Sequence, residues 1–176
     1  MKVPPKAKRL TKTYDYRMQA RSYAVQAVYQ RLTLQEATEQ TEVDNVELSA
    51  SRDDAVWLQA FVEGYMADSD KDVVSFFRSL CGGVIAQRTD IEARLLPLLH
   101  VDWPLVKMVL VVRAFLLLGA WEWFYGDDAE QATLPPPQFI KAWLTVADGF
   151  CDKKEVSFLN AFFHKMTEGG ANHGTG

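Results

Sequence analysis

The sequence predicts an all-α fold, a single-domain bundle of about seven helices around a buried central helix. The stretch Trp103–Tyr125 is apolar on nearly every face, with only Lys107, Arg113 and Glu122 ionised along it. The flanking segments repeat apolar residues at spacings of three and four, and no useful length alternates with a period of two. A helix that is hydrophobic all round is enclosed by other helices or placed in lipid. The flanking helices would enclose this one.

A membrane span is the alternative for the central stretch, because its length and apolar character would suffice to cross a bilayer. Arg113 near its midpoint would cost about 2.5–3.5 kcal/mol in lipid, which the surrounding leucines and valines could offset. The other helices, however, each carry one apolar face that needs covering. We therefore expect the stretch to form a protein core, with no membrane contact.

Length and composition fit one globular domain in a reducing compartment. The chain has 176 residues, of which 48% are hydrophobic. Cys81 and Cys151 stand at no metal-ligand spacing and read as ordinary thiols. The first ten residues lack the apolar region of a secretion signal. We expect a cytoplasmic protein with a flexible basic arm (1–13), a helical domain (14–167) and a disordered glycine-rich tail (168–176).

Apolar periodicity and end signals place the individual helices. The expected helices cover residues 14–33, 47–66, 70–88, a short segment from 89, 103–125, 136–150 and 153–166. Thr89 and Glu92 fit a capping box, Pro104 suits the first turn of the central helix, and Asp152 suits the cap of the last helix. Gly82 and Gly83 would each cost about 1 kcal/mol relative to alanine in a helix, which indicates close packing at that point.

Charge is distributed unevenly along the chain. Residues 1–21 carry seven Lys or Arg against only Asp15, whereas residues 36–72 carry eleven carboxylates against two basic residues. Such a split favours a directional contact with a polyanion, although a solvated basic tail without a ligand remains the alternative. Arg17 and Arg21 are four apart and share a helix face. The candidate contacts with the phosphates of a nucleic acid are Lys8, Arg9, Lys12, Arg17 and Arg21.

Aromatic residues near this basic end are suited to stacking on the unpaired bases of a nucleic acid. Tyr14 and Tyr16 are placed for it beside Arg17, and they equally suit packing at the helix start.

Catalytic patterns are not apparent. The three histidines are scattered, no metal-ligand spacing occurs, and Gly82-Gly83 lacks the residues of a phosphate-binding loop. We expect no enzyme activity, no cofactor and no metal. Glu122 needs a partner because a lone buried carboxylate is costly, and Arg113 lies too far along the same helix to provide it.

Four segments in register resemble the NusB family of bacterial transcription antitermination factors. They are Ala20–Tyr29 (ARSYAVQAVY), Phe77–Val84 (FRSLCGGV), Arg113–Glu122 (RAFLLLGAWE) and Phe158–Ala161 (FLNA). The sequence departs from the family pattern in three places. Leu117 replaces an arginine, Ile140–Trp143 replaces the motif INEA, and Ala161 replaces a glycine. The acidic segment 36–72 is also longer than usual.

The resemblance implies an RNA-binding factor that recognises boxA-type RNA of ribosomal leader transcripts together with NusE, a small-subunit ribosomal protein, within an RNA polymerase antitermination complex. It also implies a phosphate contact for Arg21 and partner contacts for Tyr29, Phe77 and Arg78, in a monomer or a homodimer. Two alternatives remain open: a helical interaction scaffold without specific RNA binding, and the RNA-recognition domain of an RNA methyltransferase with a separate catalytic half.

Overall fold

The computed structural model describes residues 12–40, 54–126 and 134–169, with side chains described for 16–37, 54–126 and 134–168. Within these ranges the chain forms seven α-helices and no strand, which confirms the predicted fold class. The helices are α1 (Lys12–Gln40), α2 (Asp54–Tyr65), α3 (Lys71–Ala86), α4 (Arg88–Leu95), α5 (Leu110–Tyr125), α6 (Pro136–Ala147) and α7 (Lys153–Gly169). Two 3₁₀ turns, Leu96–Leu98 and Leu105–Lys107, lie between α4 and α5.

Helix α5 is the buried centre of the domain, as predicted. Every residue from Val112 to Trp121 is buried along it. It contacts α1, α3, α4, α6 and α7, so that the amphipathic faces of these helices cover it. None of the helices in the described ranges combines the length and the apolar character that a membrane crossing requires.

The prediction of where the central helix begins was wrong. Pro104 precedes a 3₁₀ turn instead of an α-helix, and the extended backbone of Met108 and Val109 separates that turn from α5. The Arg113 side chain donates from Nε to the Met108 carbonyl over 3.1 Å. This bond satisfies a carbonyl that a continuous helix would have paired with a backbone N–H.

Helix α1 is longer than its apolar stripe predicted, since it continues from residue 33 to Gln40. Polar contacts hold the additional turns. Gln35 accepts a hydrogen bond from Arg88 over 2.8 Å, and Glu36 forms an ion pair with Arg113. Its first two residues, 12 and 13, also belong to the helix and not to the predicted arm, while residues 1–11 lie outside the described ranges.

Of the predicted helix starts, the one at Asp152 is confirmed. Asp152 Oδ1 accepts from the Glu155 backbone N–H, and Glu155 Oε2 accepts from the Asp152 backbone N–H, each over 2.8 Å. The capping box at Thr89 was wrong, because α4 begins one residue earlier and Glu92 pairs with Arg88 over 2.9 Å. The last helix extends to Gly169, two residues into the predicted tail; residues 170–176 lie outside the description.

Of the two adjacent glycines in α3, only Gly83 permits close packing against another helix. A Cβ on Gly83 would lie 2.0 Å from the Trp121 ring, whereas a Cβ on Gly82 would meet nothing within 4 Å. Gly83 therefore lets the indole of α5 lie against the backbone of α3. The Trp121 indole also donates to Gln87 Oε1 over 2.8 Å, which fixes its orientation.

Candidate nucleic-acid interface

The start of α1 lies between α3 and α6 and is fixed by a buried ion pair. Arg21 is 1% exposed and donates from both Nε and Nη2 to the carboxylate of Glu122 in the last turn of α5. Trp143 of α6 donates its indole N–H to the same carboxylate over 2.5 Å. Glu122 thus accepts hydrogen bonds from two neighbouring helices, which ties α1 and α6 to the core.

Arg21 was predicted to contact phosphate, and the structure places its side chain in the core. Its guanidinium lies 5.4 Å from the Phe76 ring and 5.7 Å from the Trp143 ring, so aromatic side chains cover it. A buried arginine is shielded from solvent, and the paired carboxylate balances its positive charge, so it attracts a ligand in solvent only weakly. Arg21 instead positions α1. Trp143, which stands within the segment replacing the family motif INEA, belongs to this arrangement.

Arg17 and Arg21 share a face of α1, but this face points toward the core. Arg17 is half-buried, and its guanidinium lies 5.9 Å from the Tyr16 ring and 5.6 Å from the Phe76 ring. Tyr16 in turn meets Phe76 edge-on at 6.5 Å. Arg17 therefore stands at the margin of the core, one helical turn before the buried Arg21.

Hydrogen bonding at Arg17 is incomplete within the described residues. Its Nε is buried without a partner, and no described carboxylate pairs with its guanidinium. A cation that stacks on aromatic rings and keeps donors unpaired is suited to a phosphate oxygen. Of the predicted RNA contacts, Lys8 and Arg9 lie outside the described ranges, and of Lys12 the structure describes only the backbone, in the first turn of α1.

The three residues predicted to contact a partner differ in burial and lie in different surroundings. Phe77, predicted to contact a partner, is 0% exposed and stacks on Phe61 at 5.3 Å, which places it in the core. Arg78 is half-buried and donates to Gln59 Oε1 across the α2–α3 contact. Tyr29 is 45% exposed and lines a groove of about 470 Å³.

Cysteine and metal chemistry add nothing to this site. Burial raises the pKa of the Cys81 thiol, and burial together with the nearby carboxylates of Glu155 and Asp152 raises the pKa of Cys151 to about 12. Both thiols are free. The described residues include no cluster of His, Cys, Asp and Glu that could hold a metal ion.

The sequence already held the information needed to pair Arg21 with Glu122. Arg21 precedes Ala24 by three residues and Val28 by seven, which places it on the buried stripe of α1. Glu122 was recognised as a carboxylate in need of a partner. A buried arginine and a carboxylate that needs a partner are complementary. The sequence did not show that α1 and α5 lie close enough for the two to pair.

Comparisons with known proteins agree with this architecture. A family model described as the NusB family matches residues 18–168. The transcription antitermination protein NusB of Maricaulis maris (strain MCS10) is 31% identical over 102 residues, which span 58% of this chain and 59% of that protein. The protein of the same name from Rhodopseudomonas palustris (strain TIE-1) is 27% identical over 167 residues, covering 94% of this chain and 84% of that protein.

Two solved structures share the fold. T. maritima NusB superimposes with a TM-score of 0.64 at 17% identity, covering 86% of this chain and 90% of that chain. A chain in the crystal structure of antitermination factors NusB and NusE in complex with dsRNA superimposes with a TM-score of 0.66 at 17% identity, covering 88% and 98%. The family match extends from α1 to α7 and includes the helices that the Arg21–Glu122 pair joins: the chain belongs to the NusB family.

Proposed function

We propose that this chain is a transcription antitermination factor that binds boxA-type RNA together with NusE and helps RNA polymerase pass terminators in the bacterial cytoplasm. The observation that carries the proposal is the family match over residues 18–168. It is supported by the name shared by the curated relatives and by the NusE and dsRNA in the complex with the similar fold.

The charge of the described residues supports the RNA part of the proposal. Helix α1 carries Arg17, Arg21 and Arg31 between positions 16 and 35 and no carboxylate there, although the chain as a whole has a net charge of −4. With Arg21 and Arg31 paired to Glu122 and Asp54, Arg17 is the described cation at the α1 start that remains for phosphate. Lys8, Arg9 and Lys12 precede it in sequence and would add further phosphate contacts.

Arg78 and Tyr29 are the candidates for the NusE contact. Arg78 lines a cavity of about 570 Å³ between α2 and α3 together with Lys71 and Glu63. Aromatic and arginine side chains are the residue types enriched at protein interfaces. The same surfaces are the candidates for a homodimer contact, in which a second copy of the chain would compete with NusE.

A second candidate function is an interaction scaffold that keeps the fold without specific RNA binding. Two observations favour it: the burial of Arg21, and the replacement of the motif INEA by a segment that places Trp143 against Glu122. Such a scaffold would bind a protein partner through α2 and α3 with no requirement for RNA.

A terminator read-through assay separates the two functions. Transcription through a boxA-containing leader should yield more full-length transcript when this protein and NusE are added, and deletion of boxA should abolish the increase. An increase that is equal with and without boxA, or no increase despite stable binding of NusE, would support the scaffold and contradict antitermination.

A further inference from the structure

A cavity of about 570 Å³ opens between the end of α2 and the start of α3. We call it the α2–α3 cavity. Part of its lining is apolar and consists of Val62, Met66, Ala67 and Val74. Lys71, Ser75 and Arg78 complete the lining on the side of α3, where their spacing places them on one face of the helix. The cavity therefore combines an apolar surface with a charged rim.

Carboxylates outnumber cations around the α2–α3 cavity. Lys71 and Arg78 are the two basic residues of its lining, and Arg78 already donates to Gln59 Oε1. The exposed carboxylates in the lining and in the turn that leads into α3 are Glu63, Asp68, Asp70 and Asp72. The three aspartates form no ion pair with any residue that the structure describes. This rim would attract a basic segment.

Helices α1 and α3 lie side by side and run in the same direction. Near their starts, Tyr16 meets Phe76 edge-on at 6.5 Å. Toward their ends, Leu32 and Val84 line one small cavity. Lys12, the first residue of α1, precedes Tyr16 by one helical turn and is therefore level with the start of α3. The chain before Lys12 joins the domain close to the three aspartates.

We propose that residues 1–11 bind in the α2–α3 cavity when RNA is absent and thereby withhold their cations from RNA. The basic residues of this segment, which contains no carboxylate, are Lys2, Lys6, Lys8 and Arg9. They would pair with the carboxylates of the rim, while Val3, Pro4 and Pro5 would cover the apolar lining. The contact is autoinhibitory, because RNA has to displace the segment before its cations can reach phosphates.

Length and charge favour this segment as the occupant of the cavity. Eleven extended residues span at most about 36–40 Å, which suffices to pass around the start of α3. A short tether of this kind gives the segment an effective concentration in the millimolar range. The other helix beside the start of α1, α6, carries no carboxylate, and α1 has none from Tyr16 to Gln35. The start of α3 therefore offers the exposed carboxylates at this end of the molecule.

The regulatory role rests on the proposed RNA-binding function, whereas the contact itself is independent of RNA. Arg78, a candidate for the NusE contact, lines the same cavity. NusE bound there would displace residues 1–11 and release their cations for RNA. Autoinhibition and its relief by the protein partner would thus use one surface.

Carbodiimide crosslinking of the full chain, which joins an amine to a carboxylate in direct contact, tests the contact without RNA. Mass spectrometry should identify amide links from a lysine of residues 1–11 to Asp68, Asp70 or Asp72. Adding boxA-type RNA should lower the yield of these links. Absence of the links in the free chain would overturn the inference.

RNA titrations test the autoinhibitory effect. The triple variant Asp68→Asn, Asp70→Asn and Asp72→Asn should bind boxA-type RNA about 3- to 10-fold more tightly, the effect of losing three exposed ion pairs that hold the segment. The matched control, which makes the same change of net charge on other exposed carboxylates, combines Asp102→Asn, Asp148→Asn and Glu168→Gln. It should give a smaller gain. Circular dichroism and thermal melting establish that both variants are folded.

Replacing all four cations of residues 1–11 by glutamine should reduce the gain of the aspartate variant to that of the control. Equal gains from the two triple variants in the unmodified background would show a general effect of charge and overturn the autoinhibition. Weakened NusE binding by the aspartate variant, without crosslinks to residues 1–11, would assign the cavity to the protein partner alone. Crosslinks in a chain that binds no RNA, with or without NusE, would overturn the proposed function and leave the contact standing.

Discussion

At the scale of single residues, the carboxylate of Glu122 connects three helices, α1, α5 and α6. It lies in the last turn of the apolar helix α5 and accepts hydrogen bonds from Arg21 and Trp143. Removing one partner of a buried ion pair leaves the other charge without compensation in a medium of low dielectric constant. The carboxylate therefore adds a polar contact between α5 and both α1 and α6 to the apolar packing of these helices.

Glu122→Ala should lower the free energy of unfolding by about 3–5 kcal/mol, because Arg21 would remain buried and unpaired. Urea unfolding followed by circular dichroism measures this change. Asp54→Ala is the matched control: Asp54 pairs with Arg31 but is 40% exposed, so its loss should cost about 0–1 kcal/mol. Equal effects of the two substitutions would contradict the assignment of Glu122 as a buried anchor.

Gly83→Ala should destabilise the protein by about 1–3 kcal/mol, because the added methyl group would overlap the Trp121 ring. Gly82→Ala, one position earlier in the same helix, should stabilise it by up to about 1 kcal/mol, since nothing lies nearby and alanine favours the helix. Thermal melting of both variants measures the difference. The explanation of the glycine pair would be wrong if both changes had the same sign.

Both thiols should react slowly with a disulfide reagent in the native protein at pH 8. Their pKa values are raised in the folded state, so the reactive thiolate is rarer than for a free cysteine, and the thiolate fraction of Cys151 should rise only as the pH approaches about 12. Denaturant should make both react at the ordinary rate. Rapid labelling of native Cys151 at pH 8 would contradict the burial that the structure shows.

At the scale of helices, the sequence predicted inner faces better than ends. Phe139, Ile140 and Trp143 of α6 repeat at helical spacing and are all buried, because apolar spacing indicates the side of a helix that meets the core. In α2 the same spacing would place Val56 and Tyr65 on the inner face, but they are 60% and 61% exposed. Spacing identifies a stripe but does not reveal how much of it a neighbouring helix covers.

Helix ends depended on contacts that are distant in sequence. Helix α1 continues to Gln40 because Gln35 and Glu36 pair with Arg88 and Arg113, respectively. No pattern in the sequence near residue 35 predicts these distant partners. The start at Asp152 was predictable because its cap is local: Asp152 and Glu155 satisfy each other's backbone N–H groups.

Asp152→Ala should lower the free energy of unfolding by about 1 kcal/mol, the usual effect of losing an N-cap side chain. Chemical denaturation provides the measurement. Asp148→Ala is a suitable control, since Asp148 is an exposed carboxylate at the end of α6 that caps no helix start. A loss at Asp148 as large as that at Asp152 would indicate a general effect of charge instead of capping.

At the scale of the whole molecule, charge separates the start of α1 from the acidic remainder of the chain. The sequence predicted this polarity directly, because it depends on composition along the chain. It did not predict which cations are available, because availability depends on the ion pairs formed after folding. Arg21 was expected at the interface and is buried, whereas Arg17, one turn away, has a buried Nε that no described residue pairs.

Arg17→Ala should weaken RNA binding several-fold and should lower the slope of log K against log salt concentration by about 1, the change expected for one lost phosphate contact. Lys154→Ala removes an exposed cation from α7 and should change neither quantity. Fluorescence anisotropy at several salt concentrations measures both. An unchanged slope in the Arg17 variant would exclude it from the phosphate contacts.

The most direct measurement of the central claim is a binding titration with boxA-type RNA and with a scrambled RNA of the same length and composition, each with and without NusE. Both RNAs carry equal charge, so they share the salt-dependent phosphate attraction and differ only in the bases that the protein can read. A sequence-specific antitermination factor should bind boxA-type RNA more tightly, and NusE should widen the difference. Equal affinity for the two RNAs in the presence of NusE would contradict specific recognition and leave a helical scaffold that keeps only the fold.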